Sequence, residues 1–201
     1  MTAALVSIIG APGAGKTTLA ELLAGRLGAS ILHEDYEGNP FLAGSYLGRV
    51  ECCLPAQAYY LMTRARQMSA ADWPRDGLVV SDYGYCQDRI YARAKLTGED
   101  LAAYEQIAGR IDGLVVSPQV TVYLQASLEL LRQRIAQRGR DFERAFGDDL
   151  LIYLDRAYHR LATEAEGEWI TIPCDEVDFR RANVLAELES DILGRLDRRG
   201  A

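Results

Sequence analysis

Lysine is almost missing from this chain of 201 residues: Lys16 and Lys95 stand against twenty arginines. Arginine abundance assigns no function by itself, but it makes the position of each lysine informative. Histidine is equally scarce, and His33 and His159 share no motif, so a histidine-based metal or catalytic cluster is not expected. The four cysteines, Cys52, Cys53, Cys86 and Cys174, are an adjacent pair and two distant singletons. That pattern fits neither zinc-ligand spacing nor a disulfide framework. It reads as reduced thiols in a cytoplasmic setting. No apolar run is long enough to span a bilayer. The first apolar stretch has no basic lead-in and no small-residue cleavage site, so it reads as a strand rather than a signal peptide. A formal net charge of −7 argues against a general nucleic-acid surface. Neither a membrane nor a nucleic-acid partner is expected.

What is present points to one domain over residues 1–201, long enough for a substantial core. Apolar runs at 3–9, 30–33, 78–81, 120–124 and 169–172 read as strands. Helical periodicity covers 17–27, 55–70, 99–112, 127–138, 148–165 and 179–196. Turn chemistry fills 72–77, and Ser127 is a candidate N-cap for a helix that stops near Gly139. Strands alternating with helices imply a three-layer α/β fold, a five-stranded parallel sheet flanked by helices. Ligands of such sheets bind beyond the carboxyl ends of the strands.

The strongest motif begins where the first strand ends. Gly10-Ala11-Pro12-Gly13-Ala14-Gly15-Lys16-Thr17, followed by Thr18, is a complete GxxxxGK[ST] phosphate-binding loop. Glycines let backbone N–H groups turn inward toward phosphate oxygens. The helix that follows presents its positive end to the same anion. Lys16 reaches the outer phosphates, and the Thr17 hydroxyl can ligate Mg²⁺. The motif predicts binding of ATP or another nucleoside triphosphate with Mg²⁺.

Three further groups should converge on the same rim. Asp82 closes the third strand, where a carboxylate can help hold Mg²⁺ opposite Thr17; the plainer alternative is a helix cap or a turn aspartate. Glu34 and Asp35 follow the second strand, where a carboxylate can accept a hydroxyl proton during phosphoryl transfer, and spacing alone does not choose between them. Arg134, Arg138, Arg140 and Arg144 surround Gly139, a hinge that lets guanidinium groups close over a transferring phosphoryl group. In isolation the same arginines read as an exposed helix end favoured by the dipole. Gln57 and Arg64 lie seven apart on one helix face, while Tyr59 and Tyr60 between them read as core.

Taken in order, these segments resemble the deoxyribonucleoside kinase family, the one that contains deoxycytidine, deoxyguanosine and bacterial deoxyadenosine kinases. The resemblance runs from the phosphate loop to about Phe179. It rests on Glu34-Asp35-Tyr36-Glu37-Gly38-Asn39-Pro40, on Gln57 with Arg64, on Asp88 in Gln87-Asp88-Arg89, and on the arginine-rich segment, a lid over about 138–147. It implies that Glu34 is the general base for the sugar 5′-hydroxyl and that Gln57, Arg64 and Asp88 read the nucleobase. It implies that Tyr46 and Glu143 contact the 3′-hydroxyl and that Arg134, Arg138 and Arg140 are lid arginines. Asp178 and Phe179 fall in a loop beside the adenine of the donor, and a homodimer is implied as well. One departure is plain: the family's acid-Arg-Ser triplet is Asp82-Tyr83-Gly84 here. Arg89, a helical turn on, is the substitute the sequence offers for the missing arginine.

The expected activity is ATP-dependent 5′-phosphorylation of a deoxyribonucleoside. An Arg–Asp pair fills the space of a thymine methyl, which favours deoxyadenosine, deoxyguanosine or deoxycytidine over thymidine. The rivals are another small-molecule or nucleoside monophosphate kinase on the same scaffold, and a catalytically weak nucleotide-binding regulator. A GTPase switch is disfavoured: Asp35-Tyr36-Glu37-Gly38 spells DxxG, but no Asn-Lys-x-Asp motif exists.

Overall fold

A computed structural model describes residues 3–69, 73 and 76–200, without the side chains of residues 144, 145, 199 and 200. The expected turn over 72–77 falls largely outside these residues. Five strands form one sheet: β1 Ala4–Ile9, β2 Ser30–Leu32, β3 Leu78–Ser81, β4 Val120–Gln125 and β5 Glu168–Pro173. Their order is β2-β3-β1-β4-β5 and every pairing is parallel. Helices cover both faces, so the three-layer α/β architecture is as expected.

Period-two alternation along β1 sorts its side chains to opposite faces. Val6 and Ile8 pack with Leu19 and Leu23 of helix α1 (Lys16–Leu27) and Leu188 and Ile192 of helix α8 (Ala182–Gly200). Leu5 points the other way, toward Met68, Val79 and Tyr83. Ile9 meets Tyr123, Leu154 and Tyr158 on that same side. With both faces buried, strands need near-continuous apolar sequence, which is why the five runs were readable.

The remaining helices are α2 Leu42–Tyr46, α3 Val50–Met68, α4 Gln87–Lys95, α5 Gly98–Ile111, α6 Leu128–Arg138 and α7 Asp148–Glu164. Four helices, α8 included, differ from expectation. Helix α3 starts at Val50, five residues before the 55–70 range that periodicity predicts, so the Pro55 ring sits inside the helix. Helices α2 and α4 were not anticipated, one being five residues long and the other nine. The last helix starts at Ala182 rather than 179, because Asp178 forms a turn that accepts Arg180 N through Oδ1 and Arg181 N through its carbonyl. Ser127 caps α6 as expected, accepting Leu130 N at 3.2 Å. All four cysteines are free. Among the described residues no helix is long and apolar enough to cross a membrane.

The topology places the site. Chain order reverses between β1 and β3, which lie side by side with Ser7 opposite Ser81 and their Oγ atoms 3.0 Å apart. The loop after β1 and the acid after β3 therefore emerge together, at the crevice where such sheets bind ligands.

Candidate active site

The loop between β1 and α1 has the backbone that its glycines allow. Gly10, Gly13 and Gly15 have φ of 149°, 86° and 104°, a region that residues with a Cβ rarely adopt. Lys16 Nζ donates to the carbonyls of Gly10 and Ala11 at 2.9 and 3.2 Å. Burial lowers the Lys16 pKa, against the opposing pull of the Glu34 and Asp82 carboxylates. Arg134, from α6, donates to Ala14 O at 2.9 Å, so the arginine helix is tied to the loop.

Asp82 is 5 % exposed and joins three segments. Oδ2 accepts from Thr17 Oγ1 at 2.6 Å and lies 3.6 Å from His33 Nδ1; Oδ1 accepts from Glu34 N at 2.8 Å. A turn aspartate bonds the backbone of its own segment, whereas Thr17 and Glu34 both reach Asp82 from distant segments. The Thr17 contact puts two hard oxygens side by side, a donor pair suited to Mg²⁺, which usually takes one or two protein oxygens and completes its shell with phosphates and water. Among the described residues no group of three or more His, Cys, Asp or Glu side chains is arranged to hold a metal.

The structure separates the two acids after β2. Asp35 is engaged in its own turn, accepting Gly38 N at 2.9 Å and Tyr59 Oη at 2.6 Å. Asn39, 5 % exposed, fastens the same segment to α3 by donating to Ala56 O at 3.1 Å. Glu34 points inward: Oε1 accepts from Arg64 and from Gln87 Nε2, the latter at 3.1 Å. Arg64, buried, also pairs with Asp88. Its guanidinium carbon lies 4.7 Å from the Tyr60 ring centroid and 5.2 Å from that of Tyr83. Burial opposes the charge on Arg64, but Glu34 and the surrounding phenols outweigh it and raise its pKa.

Gln57, Arg64 and Glu34 line an inner cavity with Tyr60, Gln87 and Tyr91. Tyr60 is thus a wall of the cavity rather than the core residue expected, because this face of α3 turns toward α4 instead of the sheet. Tyr91 and Gln87 were missed: α4 was not anticipated, and nothing in their local spacing marks them. Beyond Arg138 the chain turns at Gly139 (φ 69°) into a short 3₁₀ segment, Asp141–Ala145, that roofs the cavity. Glu143 is 3 % exposed and accepts from Arg138 at 2.9 and 2.5 Å and from Arg140 at 3.5 Å. Arg140 stacks on the Tyr36 ring at 3.7 Å. Tyr46 lies under the same segment, its ring 4.5 Å from Phe146 and 5.9 Å from Phe142. The side chain of Arg144 lies outside the described residues.

A second, outer cleft is lined by Gly13, Gly15, Thr17, Thr18, Asp82 and Phe179, among others. Phe179 packs over the loop: a Cβ on Gly15 would come within 2.9 Å of its ring. Pro12 faces the inner cavity. Asp178 is held by Arg180 and does not line the cleft. Arg89 is not beside Glu34. Its guanidinium bonds Glu105 at 3.0 Å and Asp112 at 2.9 and 2.8 Å, so the substitute offered by the sequence is committed elsewhere.

Comparison with known proteins identifies the family and the fold. A sequence model described as deoxynucleoside kinase matches residues 6–192. The deoxyguanosine kinase of Bacillus subtilis (strain 168) is 31% identical over 186 residues, covering 89% of this chain and 90% of that protein. The deoxyadenosine/deoxycytidine kinase of the same organism is 27% identical over 146 residues, covering 69% of this chain and 67% of that protein. Among solved structures, deoxyadenosine kinase from M. mycoides with the products dCMP and a flexible dCDP bound superposes with a TM-score of 0.80. That match covers 96% of this chain and 99% of the other at 21% identity, and so speaks for the fold.

Proposed function

The chain belongs to the deoxynucleoside kinase family, a premise from which we propose how its residues divide the work of turning a deoxynucleoside into its monophosphate. The observation that carries the division is shared lining. Lys16, Glu34, Tyr36, Arg138 and Arg140 line both the inner cavity and the outer cleft. A phosphoryl group passing from a donor in the cleft to an acceptor in the cavity crosses at those residues.

On this reading the donor is ATP. The backbone from Gly10 through Gly15, including Pro12 and Ala14, cradles its phosphates, with Lys16 on the outer ones and Thr18 at the cleft wall. Asp178 and Phe179 belong to the loop beside its base. Thr17 and Asp82 would hold Mg²⁺, which when bound offsets phosphate charge. Glu34 is the general base. Both of its donors reach Oε1, which leaves Oε2 to accept the proton of the 5′-hydroxyl. Arg134, Arg138 and Arg140 neutralise the charge that builds on the transferring group, and the segment 138–147 acts as their lid.

Gln57, Arg64 and Asp88 read the nucleobase, while Tyr46 and Glu143 take the 3′-hydroxyl. Gln57 both donates and accepts, Asp88 accepts, and Arg64 donates. Leaving one of those buried groups unpaired costs roughly 1–3 kcal/mol, enough for ten- to hundredfold selectivity. Deoxyadenosine, deoxyguanosine and deoxycytidine are therefore preferred over thymidine. A homodimer and a cytoplasmic setting complete the reading.

An ATP-consumption assay over the four deoxynucleosides, their ribose counterparts and the nucleoside monophosphates tests it. Turnover of a purine deoxynucleoside or deoxycytidine supports the reading. Turnover of monophosphates alone, or thymidine as best acceptor, overturns it.

A further inference from the structure

Position 83 is where this chain departs from the family's triplet, and the departure is structural. Tyr83 is fully buried with Leu5, Met68 and Val79, and its hydroxyl donates to Gln67 Oε1 at 2.7 Å. No cation stands there, and Arg89 is spoken for by Glu105 and Asp112. The cation on Glu34 is Arg64, one nitrogen of which reaches Glu34 while the other reaches Asp88.

We propose that Arg64 is a positioning residue for Glu34 in this chain, orienting the general base with the same guanidinium that pairs with Asp88 in the base-reading pocket. The inference rests on the reading of Glu34 as that base. Geometry suits the double role. A guanidinium is a planar fork whose separate N–H groups serve two carboxylates at once, which a lysine ammonium on a flexible stem does not reproduce. Its plane lies against Tyr60 and Tyr83, so the tyrosine that displaces the usual arginine also supports the replacement. Gln87, the residue before Asp88, adds its own bond to the same Glu34 oxygen. The backbone of Glu34 is anchored by Asp82, while the hydrogen bonds to its carboxylate come from the acceptor side of the site. An acceptor base that leaves the Arg64–Asp88 pair intact keeps Glu34 in place; one that pulls Arg64 away releases it. Base identity then enters kcat as well as KM.

Steady-state kinetics with saturating ATP and varied deoxynucleoside test this in wild type, Arg64→Lys, Asp88→Asn, Glu34→Gln and the Glu34→Gln/Arg64→Lys double variant. Arg64→Lys is expected to lower kcat roughly 10- to 100-fold, the scale of a misplaced reacting group. Asp88→Asn is expected to act mainly on KM. In the Glu34→Gln background, Arg64→Lys should lower kcat by no more than about twofold, since a residue acting through Glu34 has nothing left to position. If Arg64→Lys shows no cooperative melt, the paired change Asp88→Asn/Arg64→Gln, which leaves no lone buried charge, is compared with Asp88→Asn alone and should show the same kcat loss. An effect of Arg64→Lys on KM alone, or an equal kcat loss with and without Glu34, overturns the inference while leaving the general-base reading standing. Wild-type kcat in Glu34→Gln overturns both.

Discussion

Thr17 Oγ1 donates to Asp82 Oδ2 across 2.6 Å, joining the first turn of α1 to the end of β3. Asp82 Oδ1 meanwhile accepts the backbone N–H of Glu34, so one carboxylate fixes the phosphate loop and the proposed general base relative to each other. Asp82→Asn keeps the side chain's shape and removes its charge. We expect a higher ATP requirement together with a higher Mg²⁺ requirement, read as a rightward shift of the Mg²⁺ activation curve. An unchanged curve removes Asp82 from the metal assignment.

Glu34→Gln keeps the size and one acceptor oxygen but cannot take the hydroxyl proton. Turnover should fall by roughly two to four orders of magnitude, with ATP binding little changed. Near-normal kcat in the purified, folded variant sinks the base assignment.

Lys16 supplies a pH signature. Burial disfavours its ammonium form, so in the free enzyme it loses its proton below the ordinary lysine range. Bound phosphates favour the ammonium and push that loss upward. On the alkaline side kcat/KM for ATP, which reports the free enzyme, should therefore fall at lower pH than kcat. Coincident limbs would show that Lys16 does not titrate between the two states.

Gly15→Ala should abolish tight nucleotide binding without unfolding the sheet. Its φ of 104° strains any residue with a Cβ, and that Cβ would press on Phe179. Isothermal titration with ATP measures the loss; wild-type affinity would mean that Phe179 and the loop move aside freely.

Asp175 ties the end of β5 to α6, accepting Ser127 N at 2.8 Å and Ser127 Oγ at 2.5 Å. Those bonds hold its pKa below the usual carboxylate range. The sign follows: its contribution is present above the unfolded value of about 3.9 and fades as pH falls through the lower folded value. Asp175→Ala should cost about 1 kcal/mol or less at neutral pH, with the gap to wild type closing in strong acid. Parallel melting curves across pH check this, and a gap that persists in strong acid contradicts it.

How much of this was legible in sequence depends on whether local and tertiary signals coincide. For Ala4 through Leu27 they do. An apolar strand, three glycines needing positive φ and a helix with apolar spacing all specify one geometry. Glu34 and Asp35 are the opposite case. Two acids one residue apart carry the same local signal, and they differ through distant partners: Gly38 and Tyr59 for Asp35, Arg64 and Gln87 for Glu34. Resemblance to known kinases named Glu34; spacing did not. Tyr60 shows a third kind of limit. Aromatic spacing on a helix announces a buried face, but whether that face meets the sheet or a cavity is decided by α4, a nine-residue helix with too little pattern to be seen. The start of α3 was not legible because Val50 to Leu54 carry no clear apolar period and Pro55 follows them. Proline is enriched at the first turn of helices, and here the helix accepts the loss of one bond inside it.

The contacts of Glu143 bear on how the site meets solution anions. Arg138 and Arg140 are turned onto a carboxylate buried on the same short segment, so the three charges sum to a single positive one. If the roof swings outward as the proposed lid, the two arginines leave with a carboxylate partner rather than as two bare cations. A triphosphate already seated on the loop after β1 offers several oxygens at once and can draw the arginines off Glu143. On the proposed reading, the cationic strength of the roof is kept in reserve for a polyanion that has first been recognised by the floor.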